Sequence, residues 1–171
     1  PVAAAAFSGP RWGIAMAPYL RPVAWGLGRA MPAAGLGNVI APGTSQTHYV
    51  LASPFEDNTL TRDREMWTMM QDQLKAHPEL ALGGPSVTWL RKALDDTNAL
   101  AARPSPDLPC ITFMGDNERI VDVPRVHERM DKWPGSTLHI IENAEHEVMM
   151  EDAASRAWLF DTMAEAFAKA G

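Results

Sequence analysis

The chain has 171 residues, 46% of them hydrophobic and 21% charged, so it can bury the core of one ordinary globular domain and disorder is excluded. Its net charge of −6 comes from 21 acidic and 15 scattered basic residues, a balance that disfavours nucleic acid as a partner. Apolar residues never run uninterrupted for the roughly 18 positions that a membrane span requires, so no span is expected.

The first apolar stretch predicts a buried strand that ends in a turn. Residues 1 to about 10 are apolar up to Phe7 and then read Ser8-Gly9-Pro10, which is turn composition. From about Trp12 to Arg103 the pattern is helical with loops, and its Gly-, Pro- and Ala-rich part at 31–45 predicts a link without regular structure. This middle zone has the composition of an insertion rather than of a sheet.

Helical spacing predicts two helices in the middle zone. Asn58 or Thr61 can cap the first, which carries Trp67 among apolar residues at helical intervals and ends near residues 77–78. The second covers 87–100 and stops before the stiff proline-rich segment 103–106.

The last zone alternates strands and helices. Residues 108–114 and 137–141 predict buried strands, while 123–132 and 152–170 predict helices. Such alternation favours parallel strands joined by right-handed crossovers, hence an α/β sheet. With the first strand this makes at most half a sheet, so an edge would be exposed unless the remainder of a core covers it.

Each of the last two strands is followed by a residue capable of acid–base chemistry. Glu118 follows the first of them and His146 the second. Neighbouring parallel strands end at the same edge of a sheet, where ligands bind, so a carboxylate there can orient an imidazole that acts as a base. Acid before histidine, with the nucleophile earlier, is the chain order of the α/β-hydrolase triad. The alternative is that Glu118 caps a turn and His146 is a surface residue.

Three acidic residues compete for the role of the acid. Asp116 comes directly after Gly115 and can point into the turn, whereas Glu118 lies where the loop should face the histidine. Asp122 lies at the start of a predicted helix, where it suits an N-cap. Glu118 is therefore the first choice and Asp122 the reserve.

A nucleophile is not recognisable in the sequence. No serine matches the G-x-S-x-G turn, and the nearest approach, Ser45, follows Pro42 and lacks the strand–turn–helix context. We therefore expect the serine upstream of Pro1, in a G-x-S-x-G roughly twenty to thirty residues earlier, because one helix and its turn must fit between.

Metal and cofactor sites are not expected. The histidines lack metal-binding spacings, and the single cysteine, Cys110, lies inside an apolar run typical of a packed core. The glycines at 83–84 lack the lysine and spacing of a phosphate-binding loop. One unpaired cysteine also favours a reducing, cytoplasmic compartment, with peripheral association at a membrane left open.

The stretches 115–122, 144–153 and 58–91 are the most distinctive of the chain, the last containing Gly83-Gly84-Pro85 and Trp89. Together they resemble bacterial lysophospholipases of the monoacylglycerol-lipase-like branch of the α/β-hydrolases. The resemblance covers nearly the whole chain. The stretches around His146 and Gly83 are the more specific, since the Gly115 turn is common to many hydrolases.

The resemblance implies an organisation and an activity. Residues 1–12 would be a strand of the hydrolase core, 13–105 a helical cap, and 106–171 the C-terminal strand–helix–strand–helix part of the core. Glu118 would be the triad acid, where many relatives carry Asp, and His146 the base. The enzyme would cleave a lipid ester, a lysophospholipid or monoacylglycerol, through an acyl-serine and without a cofactor.

Tryptophans and methionines of the middle zone fit a lipid-like substrate, although they could equally pack its helices together. They are Trp12, Trp25, Trp67, Trp89, Met66, Met69 and Met70. Other hydrolase chemistry stays open, as peptidase, dehalogenase or acyltransferase, because one fold hosts many reactions. A non-catalytic interaction module is the alternative from another class.

Overall fold

The sheet has three parallel strands in the order β1-β2-β3. The structure, a computed structural model, describes residues 2–170, and the strands are Ala5–Ser8 (β1), Cys110–Gly115 (β2) and Ser136–Ile141 (β3). The predicted parallel α/β arrangement is confirmed. Pro1 of the predicted first strand and Gly171 at the end of the predicted core lie outside the described residues.

The central strand β2 is buried along its whole length, because both of its faces are covered. Cys110 and Met114 pack on one face against the helix Val123–Asp131 (α5), whereas Ile111 and Phe113 pack on the other against the helix Ala153–Ala170 (α6). Side chains alternate between the faces of a strand, so a single apolar run fills two layers. Cys110 is buried in the first of these layers, as the sequence predicts.

The segment between β1 and β2 is helical. Its helices are Arg21–Ala33 (α1), Tyr49–Ala52 (α2), Arg64–Ala76 (α3) and Val87–Ala101 (α4). The link predicted at 31–45 begins slightly later, because α1 continues through Ala33 even though Pro32, in its last turn, has no N–H to donate to the carbonyl of Gly28. Trp67 of α3 is buried against Tyr49 and Phe55, so it packs the segment internally.

The predicted caps of α3 are wrong. The helix begins after Asp63, whose Oδ1 accepts hydrogen bonds from the N–H groups of Glu65 and Met66. The side chain of Asn58 instead accepts from the N–H groups of Leu60 and Thr61, which closes a turn before the helix. Asn and Thr form such turns as readily as caps, and sequence alone does not separate the two.

Candidate active site

Glu118 and His146 are in direct contact at the carboxyl end of the sheet. Oε2 of Glu118 lies 2.6 Å from Nδ1 of His146. The side chain of Glu118 is fully buried, and that of His146 is 17% exposed. An ionised carboxylate can only accept, so Nδ1 carries the proton and donates it. Nε2 is then the nitrogen able to accept a proton from another group.

The loop after β2 holds the Glu118 carboxylate in a fixed orientation. Its second oxygen, Oε1, accepts hydrogen bonds from the N–H groups of Ile120 at 2.6 Å and Val121 at 3.1 Å. The chain that follows β1 pairs with this loop, because Ile14 forms an antiparallel bridge with Val121. The carboxylate is therefore held by backbone N–H groups of its own loop, and that loop is held by the chain after β1.

The loop that carries His146 is tied to the end of β2. The N–H of Ala144 donates to Oδ1 of Asp116 at 3.2 Å, and the carbonyl oxygen of Ala144 accepts from the N–H of Asn117 at 3.0 Å. Gly115 makes the approach possible, since a Cβ there would collide with the carbonyl oxygens of Ala144 and Glu145. The two loops that present the acid and the histidine are thus joined at their bases.

Gly9 supplies a third wall of the site. It follows β1 with a φ of +48°, and a Cβ built on it would lie 2.8 Å from Cε1 of His146. Glycine is required here both by the left-handed backbone and by the imidazole. Arg11, two residues on, lies with its guanidinium 4.5 Å from the ring centroid of Trp89, which is 41% exposed.

The pair shifts the pKa values of both partners. Burial acts to raise the pKa of Glu118, but hydrogen bonds from His146 and from the Ile120 and Val121 N–H groups outweigh it, so the pKa is lowered. Burial acts to lower the pKa of His146, but the hydrogen bond and charge of Glu118 prevail, helped by Glu147 and opposed by Arg11, and the pKa is raised.

The other candidates lie away from the histidine or serve other purposes. Asp122, the reserve acid, caps α5 by accepting from the N–H of Arg125 and pairs with Arg21 at 2.6 Å. Ser45 is exposed, and its Oγ accepts from the N–H of Thr47. Within residues 2–170, neither forms a hydrogen bond with His146.

Sequence reasoning missed the contribution of residues 57–62, the turn before α3, to the site. The carbonyl oxygen of Thr59 accepts from the N–H of His146 at 3.2 Å, and that of Leu60 accepts from the N–H of Glu147 at 2.8 Å. A side chain from beyond the histidine, that of Glu151, also joins this turn. Contacts between groups far apart in the chain, such as the Arg62 N–H and the Glu151 carboxylate 89 residues on, leave no pattern in the sequence.

A cavity of about 410 Å³ opens beside the two loops. It is lined by charged and amide side chains, among them Arg62, Asn117, Arg119 and Glu145. Across the described residues, no three His, Cys, Asp or Glu side chains are grouped closely enough to hold a metal ion.

Comparison with known proteins establishes the family of the chain. The family model Hydrolase_4, described as serine aminopeptidase S33, matches residues 1–153. The chain belongs to this family. Membership agrees with the order of acidic residue and histidine along the strands, and it confirms the hydrolase group that the sequence resembles.

Curated relatives of this S33 chain are lysophospholipases. The chain is 28% identical over 115 residues to lysophospholipase L2 of Escherichia coli K12, covering 62% of this chain and 34% of that protein. It is 26% identical over 98 residues to the probable lysophospholipase L2 of Haemophilus influenzae, covering 57% and 31%. The match therefore spans about a third of the length of each relative.

Solved structures confirm the α/β-hydrolase fold. A soluble variant of monoglyceride lipase from Saccharomyces cerevisiae, in complex with a substrate analog, superposes with a TM-score of 0.66 at 15% identity, covering 97% of this chain and 55% of that one. The monoacylglycerol lipase of Paleococcus ferrophilus gives a TM-score of 0.58 at 13% identity, covering 96% and 58%. None of the helices within residues 2–170 combines the length and apolar character that crossing a membrane requires.

Proposed function

We propose that this chain supplies the acid and the base of a serine hydrolase that cleaves carboxylic esters of lipids, such as lysophospholipids or monoacylglycerols. The observation that carries the proposal is the 2.6 Å hydrogen bond between Glu118 and His146 at the carboxyl end of the sheet. A buried carboxylate on Nδ1 leaves Nε2 as a general base.

In this proposal the nucleophile is a serine upstream of Pro1. His146 takes the serine proton on Nε2 as Oγ attacks the ester carbonyl, and the imidazolium then protonates the leaving alcohol. In the second half of the reaction, His146 takes a proton from water as the water oxygen attacks the acyl-serine. The proton returns to the serine as the fatty acid leaves. Glu118 stays ionised and stabilises the imidazolium in both halves.

The lipid class is supported by the names of the relatives and by apolar surface on the helical segment. The relatives are lysophospholipases, and the structural neighbours are monoglyceride lipases. Tyr19 and Leu20, just before α1, are 77% and 45% exposed, Val23 in its first turn is 53% exposed, and Trp89 of α4 is 41% exposed. We propose that residues 13–105 form a cap whose exposed apolar side chains receive the acyl chain.

The partner of this chain would be the remainder of the hydrolase core. Among residues 2–170, β1 pairs with β2 alone and leaves its other edge open. The helix α6 also exposes an apolar stripe at helical spacing, formed by Ala157, Phe160, Ala164 and Phe167. An open parallel edge beside an uncovered apolar helix face is unfavourable in water, so both are expected to be covered.

Three observations test the proposal. The sequence encoded before Pro1 is expected to carry G-x-S-x-G, and the chain together with that segment, hereafter the full-length protein, is expected to react with a fluorophosphonate. His146→Ala should lower ester turnover by about 10⁴-fold or more, whereas His127→Ala, at an exposed position on α5, should not. Unchanged turnover in His146→Ala would refute the proposal.

The family description keeps peptidase chemistry as the second candidate. Two substrates separate the candidates, a fatty-acyl ester and an aminoacyl amide with a free amino terminus. We expect the full-length protein to cleave a lipid ester with a larger kcat/KM than any aminoacyl amide. Faster cleavage of the amide with a free amino terminus would favour the peptidase.

A further inference from the structure

Glu151 is a buried carboxylate outside the acid–histidine pair. It follows a short 3-10 turn at Val148–Met150, precedes α6, and is only 3% exposed. Its Oε1 accepts a hydrogen bond from the N–H of Glu145 at 2.7 Å. Its Oε2 accepts from the N–H of Arg62 at 3.0 Å and lies 3.3 Å from Oγ1 of Thr61. One carboxylate therefore joins the histidine loop to the turn 57–62.

Both segments that Glu151 joins hold the backbone of His146. Glu145 is its immediate neighbour in the chain, so the first hydrogen bond fixes the Ala144–Glu145 peptide, one residue before the histidine. The turn 57–62 offers the carbonyl oxygen of Thr59 to the N–H of His146, at 3.2 Å. A change at Glu151 would therefore reach the imidazole through the backbone on two sides.

A carboxylate in this position is unfavourable for stability. Burial raises the pKa of Glu151 and the charge of Glu145 adds to the rise, although hydrogen bonds from Glu145, Arg62 and Thr61 oppose it. When the pKa of a carboxyl group is higher in the folded state than in the unfolded state, stability is lost as the pH rises from the unfolded-state pKa through the folded-state pKa. The carboxylate is therefore retained at a cost, with Arg62 donating only its backbone N–H to it and Arg156 donating to the backbone carbonyl of Glu151.

We propose that Glu151 is a positioning residue that holds His146 in line with Glu118 by clamping the histidine loop to the turn 57–62. This inference rests on the proposed function, since it assigns Glu151 to the same catalytic histidine. Glu151 does not touch the imidazole, and the charged groups that act on the histidine directly are Glu118, Glu147 and Arg11.

Glu151→Gln tests the clamp, because an amide has the same shape but turns one of the two acceptors into a donor facing a backbone N–H. NMR titration of the chain itself reports the pKa of His146. We expect that pKa to fall toward its ordinary value, since a displaced imidazole loses its hydrogen bond to Glu118. In the full-length protein kcat should fall about 10- to 100-fold with little change in KM.

Glu142→Gln is the matched control. Glu142 is an exposed residue of the loop that carries His146, and its substitution removes the same charge as Glu151→Gln. It should leave the pKa of His146 and kcat unchanged. Glu151→Asp keeps the charge but shortens the side chain by one methylene, so an intermediate pKa and kcat are expected. This variant decides the matter if Glu151→Gln fails to fold.

An unchanged pKa of His146 in a folded Glu151 variant would overturn the clamp, whatever happens to the melting temperature. A fall of kcat with that pKa unchanged would also overturn it, because the loss would not pass through the histidine. These results leave the proposed function intact. Retained turnover in His146→Ala would instead remove the function on which the clamp rests.

Discussion

The backbone of Gly9 lies directly against the imidazole of His146, so that a Cβ at Gly9 would meet Cε1 at 2.8 Å. The end of β1 therefore limits where the imidazole can lie. Three strand ends, rather than the two expected from the sequence, define the position of the ring.

Replacing Gly9 by alanine should displace His146. The new methyl group would clash with the ring, and the backbone φ of +48° adds strain of about 1 kcal/mol or more. We expect the kcat of the full-length protein to fall at least about 100-fold. Gly35→Ala is the control, because Gly35 has a φ of +77° with open space around its Cβ position. An equal loss of kcat in both variants would mean that strain alone is responsible.

Substitutions of Glu118 and Asp122 should have different effects, the first on turnover and the second on stability. Glu118→Gln keeps the shape but removes the charge that stabilises the imidazolium, so kcat should fall by about 10⁴-fold. Asp122→Ala removes the cap of α5 and should cost about 1 kcal/mol in the free energy of unfolding, with kcat within a few-fold. Kinetics together with urea denaturation check both. The reverse ranking of the two kcat values would make Asp122 the acid.

The pH dependence of turnover should report the raised pKa of His146. A base must be unprotonated to accept the serine proton, so kcat/KM is expected to rise with pH through a pKa above the ordinary 6.5. In Arg11→Gln that pKa should be higher still, because Arg11 acts to lower it. An acidic limb with its midpoint below 6.5 would contradict the environment described for the histidine.

The pair should also stabilise the fold over a limited pH window. The lowered pKa of Glu118 contributes stability above about 4.5 that is lost as the pH falls, and the raised pKa of His146 contributes stability below 6.5 that is lost as the pH rises. The difference in melting temperature between the chain and His146→Gln should therefore be greatest between these values. A difference that does not change with pH would show that the pair is not ionised in the fold.

Much of the core and both members of the pair could be predicted from the sequence. Of the strands predicted as buried, β2 is buried throughout, whereas β1 and β3 are only partly buried, since the described residues cover one edge of each. The residues after the carboxyl ends of parallel strands gather at one edge of the sheet, so Glu118 and His146 could be paired by position alone. The sequence also predicts Asp122 as the cap of α5, and the structure confirms it.

The rest of the site depends on contacts that no local pattern records. Asn58 and Thr61 are residue types that often cap helices, but here their side chains form a buried turn that supports the histidine loop. The role of Glu151 depends on the N–H of Arg62, 89 residues away in the chain. Long-range pairing of this kind arises from tertiary packing, which propensity does not encode.

The most direct test is a double-mutant cycle on ester turnover in the full-length protein, using Glu118→Ala, His146→Ala and the two combined. Groups that act as one unit are strongly non-additive, so we predict that the double variant is about as slow as His146→Ala alone. Losses that simply multiply, or a Glu118→Ala variant as fast as the unmodified protein, would contradict a catalytic pair.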